Sequence, residues 1–383
     1  MSIDYLIQNV SAQCIPNLVA ARTYQPRHII WIYTKQSEQS LKYLQQAYKP
    51  QNCKQQAWLV DALNPETLQH TLMEKMKILH GQVTVVYHLS SGTKTMSLIG
   101  IECLRKQSQL QQNKVFGVVM DAKTQKFDVV SPHAKNNTVS CRALSLQDIL
   151  QIHGSQIKHG SGRDMNKLKK HFSPLEKLRQ MNKQLTDALN GIQVCSHDEA
   201  KARGYFYLRN QKQINKMIKQ GLESTQSIGA IKKLHFHGQE GFSFQAVHTT
   251  NPIDYMKNLW MEDWVGAVFA KHDDGHWKGG YSGVQVSIQG KEADSQEFDF
   301  LGARKNHLVY WSCKNIKKTT TAPLFEVDAL RDEVGGRDYH IAGLVHAQSI
   351  EPGLVAKAKR LDVRLVNVRA PDAEEQLLQL SGL

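Results

Sequence analysis

An α/β chain in two folded parts, joined by a basic helical stretch, is predicted by three features of the sequence. Over the first 130 residues, short and wholly apolar runs alternate with stretches of helical periodicity, the pattern of a parallel sheet covered on both faces. From residue 251 onward a second alternation appears, in the order helix, three strands, helix, strand. Between them lies most of the charge: Lys158 to Lys233 holds sixteen Lys or Arg against six Asp or Glu, a net of +10 in a chain whose total is +13. A length of 383 residues suits two domains better than one, and the expected division is 1–145, a connector over 146–250, and 251–383.

The elements justify this in order. His28–Tyr33 reads as a buried strand, and Ser37–Tyr48 as a helix with Leu41, Leu44 and Ala47 on one side. Ala57–Val60 is a second strand, and Asn64-Pro65-Glu66 opens a helix with proline at its first position. Val83–Leu89 is a strand, a polar turn leads into a helix over Thr95–Lys106, and Val115–Met120 closes the series. Gly154, Gly160 and Gly162 mark an expected linker. Beyond it, a helix is expected over Pro252–Ala270, then strands at Val284–Ile288, Glu297–Phe300 and His307–Trp311. A helix over Phe325–Val334 stopped by Gly335-Gly336 follows, and then strands at Ile341–Val345 and Val363–Val366.

Composition narrows the class. Hydrophobic residues at 41% and charged residues at 22% are those of a globular protein, no apolar run approaches a membrane span of about 18 residues, and the first residues lack a signal-peptide pattern. A cytoplasmic protein without membrane attachment is expected. The six cysteines form no Cys-x-x-Cys pair and are read as free, mostly buried thiols. His235-Phe236-His237 lacks a third ligand nearby and is not read as a metal site. The concentrated basic stretch, with Lys167, Lys169, Lys170, Arg203, Arg209 and Lys212, reads as a surface that tracks a nucleic-acid backbone.

Two constellations carry chemistry. Ser90-Ser91-Gly92-Thr93-Lys94-Thr95 follows a buried strand and opens a helix, so free N–H groups and the positive end of a helix dipole meet there. It lacks the Walker A spacing. The motif resembles the signature of CRISPR-associated Rossmann fold (CARF) domains, and Val10–Leu18 resembles the first strand-to-helix loop of CARF proteins that carry a fused nuclease. The resemblance covers residues 1–145. It implies a homodimer that binds a cyclic oligoadenylate, chiefly the tetra-adenylate, with Gln13, Pro16 and Asn17 from the first loop and Ser90, Ser91, Gly92, Thr93 and Lys94 from the second touching the ligand.

Metal-dependent phosphodiester hydrolysis needs carboxylates to hold a divalent cation and a cationic group to orient water or meet charge on phosphorus. Asp299 ends one strand and Ser312-Cys313-Lys314 ends the next, so a hairpin brings Asp299 beside Lys314, with Glu297 two residues before Asp299 and Glu262 on the preceding helix. This arrangement is similar to the PD-(D/E)XK, or restriction-endonuclease-like, nuclease core over residues 250–370. It implies Glu262 and Asp299 as ligands of Mn²⁺ or Mg²⁺, with the Cys313 carbonyl, Glu297 or water completing the shell, and Lys314 as the catalytic lysine. Ser312 departs from the pattern, standing where a third acid belongs, and a hydroxyl is a poorer ligand for a hard cation. No Arg-x-x-x-x-His occurs, which excludes the HEPN ribonuclease partner of other CARF chains.

The expected function is therefore a nuclease of type III CRISPR defence that cuts DNA or RNA when cyclic tetra-adenylate binds. The alternatives are a non-catalytic nucleic-acid-binding regulator with a degenerate nuclease core, favoured by Ser312, and a CARF domain that degrades its own ligand.

Overall fold

The computed structural model describes residues 2–50, 52–130, 137–189, 193–194, 205–209, 216–237, 241–246, 255–288, 295–315, 320–333, 339–347 and 350–383. The first part runs β1 (Tyr5–Asn9), α1 (Ile15–Tyr24), β2 (His28–Tyr33), α2 (Glu38–Ala47), β3 (Lys54–Leu59), α3 (Pro65–Lys75), β4 (Thr84–His88), α4 (Lys94–Gln111), β5 (Lys114–Asp121), β6 (Lys126–Val130) and β7 (Thr138–Ser140). The sheet order is β3-β2-β1-β4-β5-β6-β7; the first five of these are mutually parallel and the last two antiparallel. The apolar runs are inside because both faces are covered. Leu18 and Val19 of α1 and Leu41 and Leu44 of α2 pack on one face. Leu68 and Leu72 of α3 and Met96 and Leu104 of α4 pack on the other.

The chain continues through α5 (Leu146–Gln151), β8 (Gln156–Ile157), β9 (Arg163–Asp164), α6 (Met165–Leu168), α7 (Phe172–Leu189), β10 (Gln193–Val194), β11 (Tyr205–Arg209), α8 (Lys216–Ile228), β12 (Ile231–His237) and β13 (Gly241–Ala246). The stretch expected as a connector is thus folded. β8 and β9 pair with a strand of the C-terminal sheet, and β10-β11-β13-β12 form a small antiparallel sheet of their own. Composition hides this because the apolar residues are sparse: Met165, Leu168, Leu175 and Leu178 are buried, while Lys167, Lys169 and Lys170 face water. Arg203 and Lys212 lie outside the described residues, and Arg209 sits in β11.

The last part holds α9 (Trp260–Lys271), β14 (Trp277–Ser287), β15 (Ser295–Arg304), β16 (His307–Lys314), α10 (Ala322–Glu333), β17 (His340–His346), α11 (Pro352–Arg360), β18 (Arg364–Asn367) and α12 (Ala373–Leu380). The strand expected at Val284–Ile288 begins earlier, at Trp277, because its polar and glycine positions pair as well as its apolar ones. The expected start of the helix at Pro252 lies outside the described residues; a π-helical turn, Tyr255–Leu259, leads into α9. The sheet order is β18-β17-β16-β15-β14-β8, with antiparallel pairing from β14 to β16 and parallel pairing from β16 to β18. Lys305 and Asn306, with φ of 47° and 58°, make the two-residue turn between β15 and β16.

Every residue from Trp260 to Ala270 is buried, so α9 is a core helix enclosed all round rather than an amphipathic one. The apolar cluster on the other face of this sheet is continuous with that of the first part: Leu144, Ile149 and Leu150 join Leu18 and Leu44 to Val284, Val286 and Leu301. Polar bonds reinforce that seam, with Arg22 3.1 Å from Asp148 and the Asn306 side chain bonded to Leu144 N and Gln125.

Candidate functional site

A cleft of about 850 Å³ opens where the C-terminal ends of β1, β2, β3 and β4 meet, lined by Ser11, Thr34, Lys35, Asp61, Gly92 and Thr93 among others. β1 has β2 on one side and β4 on the other, so the loops leaving β1 and β4 diverge here, the place where open α/β sheets take ligands. The two loops are tied behind the cleft. Ser91 Oγ donates to Asn17 Oδ1 (2.7 Å), and Asn17 Nδ2 donates to the Asn9 carbonyl (2.9 Å). Gln8 Oε1 accepts from His88 Nδ1 (3.0 Å), and burial alone pushes the His88 pKa down to about 3, so the ring stays neutral. Gly92 has φ +80°, and a Cβ there would lie 2.5 Å from Cβ of Asn9; only glycine lets the loop close on β1. Thr93 caps α4 by accepting from Met96 N (3.1 Å).

Of the eight residues expected to touch a ligand, Gly92 and Thr93 line the cleft directly. Lys94 is exposed at the first turn of α4 beside them, and Gln13 is half-buried. Pro16, Asn17 and Ser91 are buried behind the wall, and the Ser90 hydroxyl accepts from Met120 N (2.6 Å). Sequence reasoning missed Thr34, Lys35 and Asp61. They follow β2 and β3, and only the parallel register brings those strand ends to the same edge as β1 and β4.

In the second part, Asp299 sits where the β14–β15 ladder is irregular. Register partners run Ser282↔Phe300 and Val284↔Phe298 and skip the facing Gly283 and Asp299. Gly283 has φ +59°, and the side-chain alternation slips there: Phe298 and Leu301 share one apolar cluster while Phe300 joins the other. Asp299 Oδ2 accepts from Cys313 N (2.6 Å) and from Ser312 Oγ (3.1 Å), with Lys314 Nζ 3.6 Å away. Burial opposes the Lys314 charge, but Asp299 and then Glu326 outweigh it and hold its pKa above the usual lysine value. Glu262 is buried in α9. Burial, then the charge of Asp299, pushes its carboxyl up to about 9.

The structure thus gathers Glu262, Asp299, Ser312, Cys313 and Lys314 into one site. It adds three residues that the sequence did not single out. Arg163 reaches Glu262 (3.2 Å) and Asp263 (2.5 Å), and Glu326 lies 3.9 Å from Lys314. Asp263 follows Glu262 directly, but nothing in its spacing separates it from an ordinary helix acid. Among the described residues there is no group of three His, Cys, Asp or Glu side chains placed to hold a metal ion. The two hard, mutually repelling carboxylates Glu262 and Asp299 fit a divalent cation, which would need main-chain carbonyl and water oxygens to complete its shell. No helix among the described residues is long and apolar enough to cross a membrane. The five described cysteines are free, Cys14 and Cys103 buried and the others half-buried.

Residues 5–149 match the family model of the Card1 CARF domain. No curated protein matches the chain. Among solved structures, protein VC1899 from Vibrio cholerae superposes with a TM-score of 0.76 at 14% identity, over 99% of this chain and 97% of its own. Can2 from Sulfobacillus thermosulfidooxidans, solved in complex with cyclic tetra-adenylate, gives a TM-score of 0.71 at 14% identity, over 99% of this chain and 98% of its own. A type III CRISPR defence DNA nuclease activated by cyclic oligoadenylate gives 0.52 at 15% identity; the match takes in 99% of this chain but 52% of that larger one. Over residues 5–149 the chain is therefore CARF-like, and over its whole length it has the fold of VC1899 and Can2.

Proposed function

We propose that the chain is a metal-dependent nuclease switched on by cyclic tetra-adenylate in type III CRISPR defence. The observation that carries this reading is the Asp299 carboxylate, held by Cys313 N and Ser312 Oγ with the Lys314 ammonium at 3.6 Å and the buried Glu262 facing it. Domain bounds of 1–145 and 251–383, with the basic segment between them, belong to the same proposal. So does a restriction-endonuclease-like core, which the helix–antiparallel meander–helix–parallel strand order of α9 to β17 supports.

In this reading the cleft takes the cyclic nucleotide, with Gln13, Lys94 and the N–H groups at Gly92 and Thr93 meeting phosphate, and Pro16, Asn17, Ser90 and Ser91 shaping the loops. A second copy completes the cleft across a two-fold axis. Leu63 and Leu98, 89% and 68% exposed near the cleft and at α4, supply apolar surface for that contact. At the other site Glu262, Asp299 and the Cys313 carbonyl would hold a divalent ion, Mn²⁺ or Mg²⁺, which would supply Lewis-acid stabilisation of the phosphate when bound. Lys314 orients the attacking water and meets charge developing on the phosphoryl oxygens. Lys167, Lys169 and Lys170, with Arg203, Arg209 and Lys212, guide the DNA or RNA backbone.

Ser312 favours a second reading, a sensor that binds nucleic acid without cutting, because a hydroxyl stands where a third carboxylate would strengthen metal binding. The test incubates labelled single- and double-stranded DNA and RNA with Mn²⁺, with and without each cyclic oligoadenylate. Cutting that requires both the metal and cyclic tetra-adenylate supports the first reading. Nucleic-acid binding with no cutting under any of these conditions supports the second.

A further inference from the structure

Arg163 is the one cation that reaches Glu262 among the ion pairs of the described residues, and it does so from outside both recognised motifs. It lies in β9, whose residues pair with β14 in the register Ser282↔Arg163 and Tyr281↔Asp164. From there its guanidinium spans two consecutive acids of α9. Nη2 is 3.2 Å from Glu262 Oε2, and Nε is 2.5 Å from Asp263 Oδ1. Asp263 is anchored from its other oxygen by Tyr255 Oη (2.7 Å), and the Glu262 carbonyl accepts from Ser282 Oγ (2.9 Å). Glycine at 283 leaves room for this fork, since any side chain there would press on both tips and adopt a strained backbone. A Cβ there would lie 3.0 Å from Glu262 Oε2 and 3.1 Å from Arg163 Nη2, at a φ of +59°.

A planar guanidinium gripped by a fixed neighbour holds a second carboxylate in one rotamer, which a lysine cannot do for two acids at once. Glutamate carries three side-chain torsions, and a metal ligand must be held within fractions of an ångström of its working position. We propose that Arg163 is a positioning residue: through its fork to Asp263 and Glu262 it aims the Glu262 carboxylate at the divalent-cation site it shares with Asp299. This inference rests on the proposed nuclease reading of that site.

Charge alone acts in two senses: the guanidinium repels a cation, yet it also favours the ionised form of Glu262. Arg163→Lys keeps the charge and loses the fork, so it separates charge from positioning: positioning loosens metal binding in Arg163→Lys, and charge alone leaves it unchanged. The experiment is calorimetric titration of the full chain with Mn²⁺, without nucleic acid, for wild type, Arg163→Gln, Arg163→Lys, Glu262→Gln and Arg163→Gln/Glu262→Gln. Expected are roughly tenfold or larger losses of affinity for both Arg163 variants, in line with the usual effect of removing a ligand's supporting partner. Arg163→Lys loses affinity although it keeps the charge, and also guards against a fold lost to an unpaired Asp263. In the Glu262→Gln background, Arg163→Gln should cause no further loss. Unchanged or tighter Mn²⁺ binding by the folded Arg163 variants overturns the positioning role alone. A wild-type chain that binds no Mn²⁺ overturns the nuclease reading and the inference with it.

Discussion

Asp299 Oδ2 is held at 2.6 Å by the main-chain N–H of Cys313, two residues past the position across the hairpin from Phe300. The Ser312 hydroxyl (3.1 Å) and the Lys314 ammonium (3.6 Å) converge on the same oxygen. None of these contacts uses Oδ1, so three consecutive residues of β16 fix the carboxylate through a single oxygen.

Asp299→Ala and Lys314→Ala should each reduce cyclic-nucleotide-dependent cutting by about 10²-fold or more, the usual cost of removing one charge-stabilising group from a hydrolytic site. Nucleotide affinity, measured by calorimetry, should remain at the wild-type value, because the cleft lies at the edge of the other sheet. Wild-type cutting rates in both variants would remove this site from the reaction.

Ser312→Asp places a second carboxylate beside Asp299 in a position that is fully buried. In chelator the variant should melt below wild type, since like charges packed together without water are unfavourable. Mn²⁺ should raise its melting temperature more than that of wild type and lower the metal concentration needed for half-maximal cutting. Equal metal shifts in the two proteins would mean that residue 312 does not face the cation.

Lys94→Ala and Asn17→Ala should separate contact from scaffold. Lys94 is exposed, so its loss should weaken cyclic tetra-adenylate binding by roughly 1.5–3 kcal/mol, the worth of a charge-assisted bond, with unchanged stability. Asn17 is buried and joined to Ser91 and Asn9, so its loss should lower both affinity and stability, the latter by about 1–3 kcal/mol. Calorimetry paired with urea melts reads both; a stable Asn17→Ala protein would show that the tie between the loops is not needed.

Acid should loosen the CARF-like domain through His88. Its pKa falls from an unfolded value of about 6.5 to about 3 in the fold. The folded ring resists the proton that the unfolded chain takes up. The contribution is therefore fully present above about pH 6.5 and is lost as pH falls toward 3, at up to about 1.4 kcal/mol per pH unit. His88→Asn, whose amide can keep the bond to Gln8, should show a shallower fall in urea midpoint between pH 7 and pH 5. Parallel curves for the two proteins would place the acid sensitivity elsewhere.

Particular residues mark how far the sequence could be read. His28–Tyr33 and Thr84–His88, within the expected run Val83–Leu89, are strands of a parallel sheet, as runs without a polar face require. The turn at Gly92 announced itself because glycine between a buried strand and a capped helix has few other uses. Asp299 and Lys314 were legible because a hairpin converts a separation along the chain into a short distance. Arg163 was not, since it sits among glycines and lysines that composition marks as a linker, and Lys35 and Asp61 were not, since nothing local distinguishes them from surface residues.

The sequence by itself determined the alternation of elements, the first loops of the CARF-like domain and the acid–lysine pair, because each depends on periodicity or on neighbours along a strand. Only the tertiary structure decided that β8 and β9 complete the second sheet, that Arg163 reaches Glu262 and Asp263, and that Asn17 stands behind the cleft wall rather than in it. Those outcomes depend on the register of strands distant in the chain, and register is set by which side chains fill a shared core, not by the residues on either side of them.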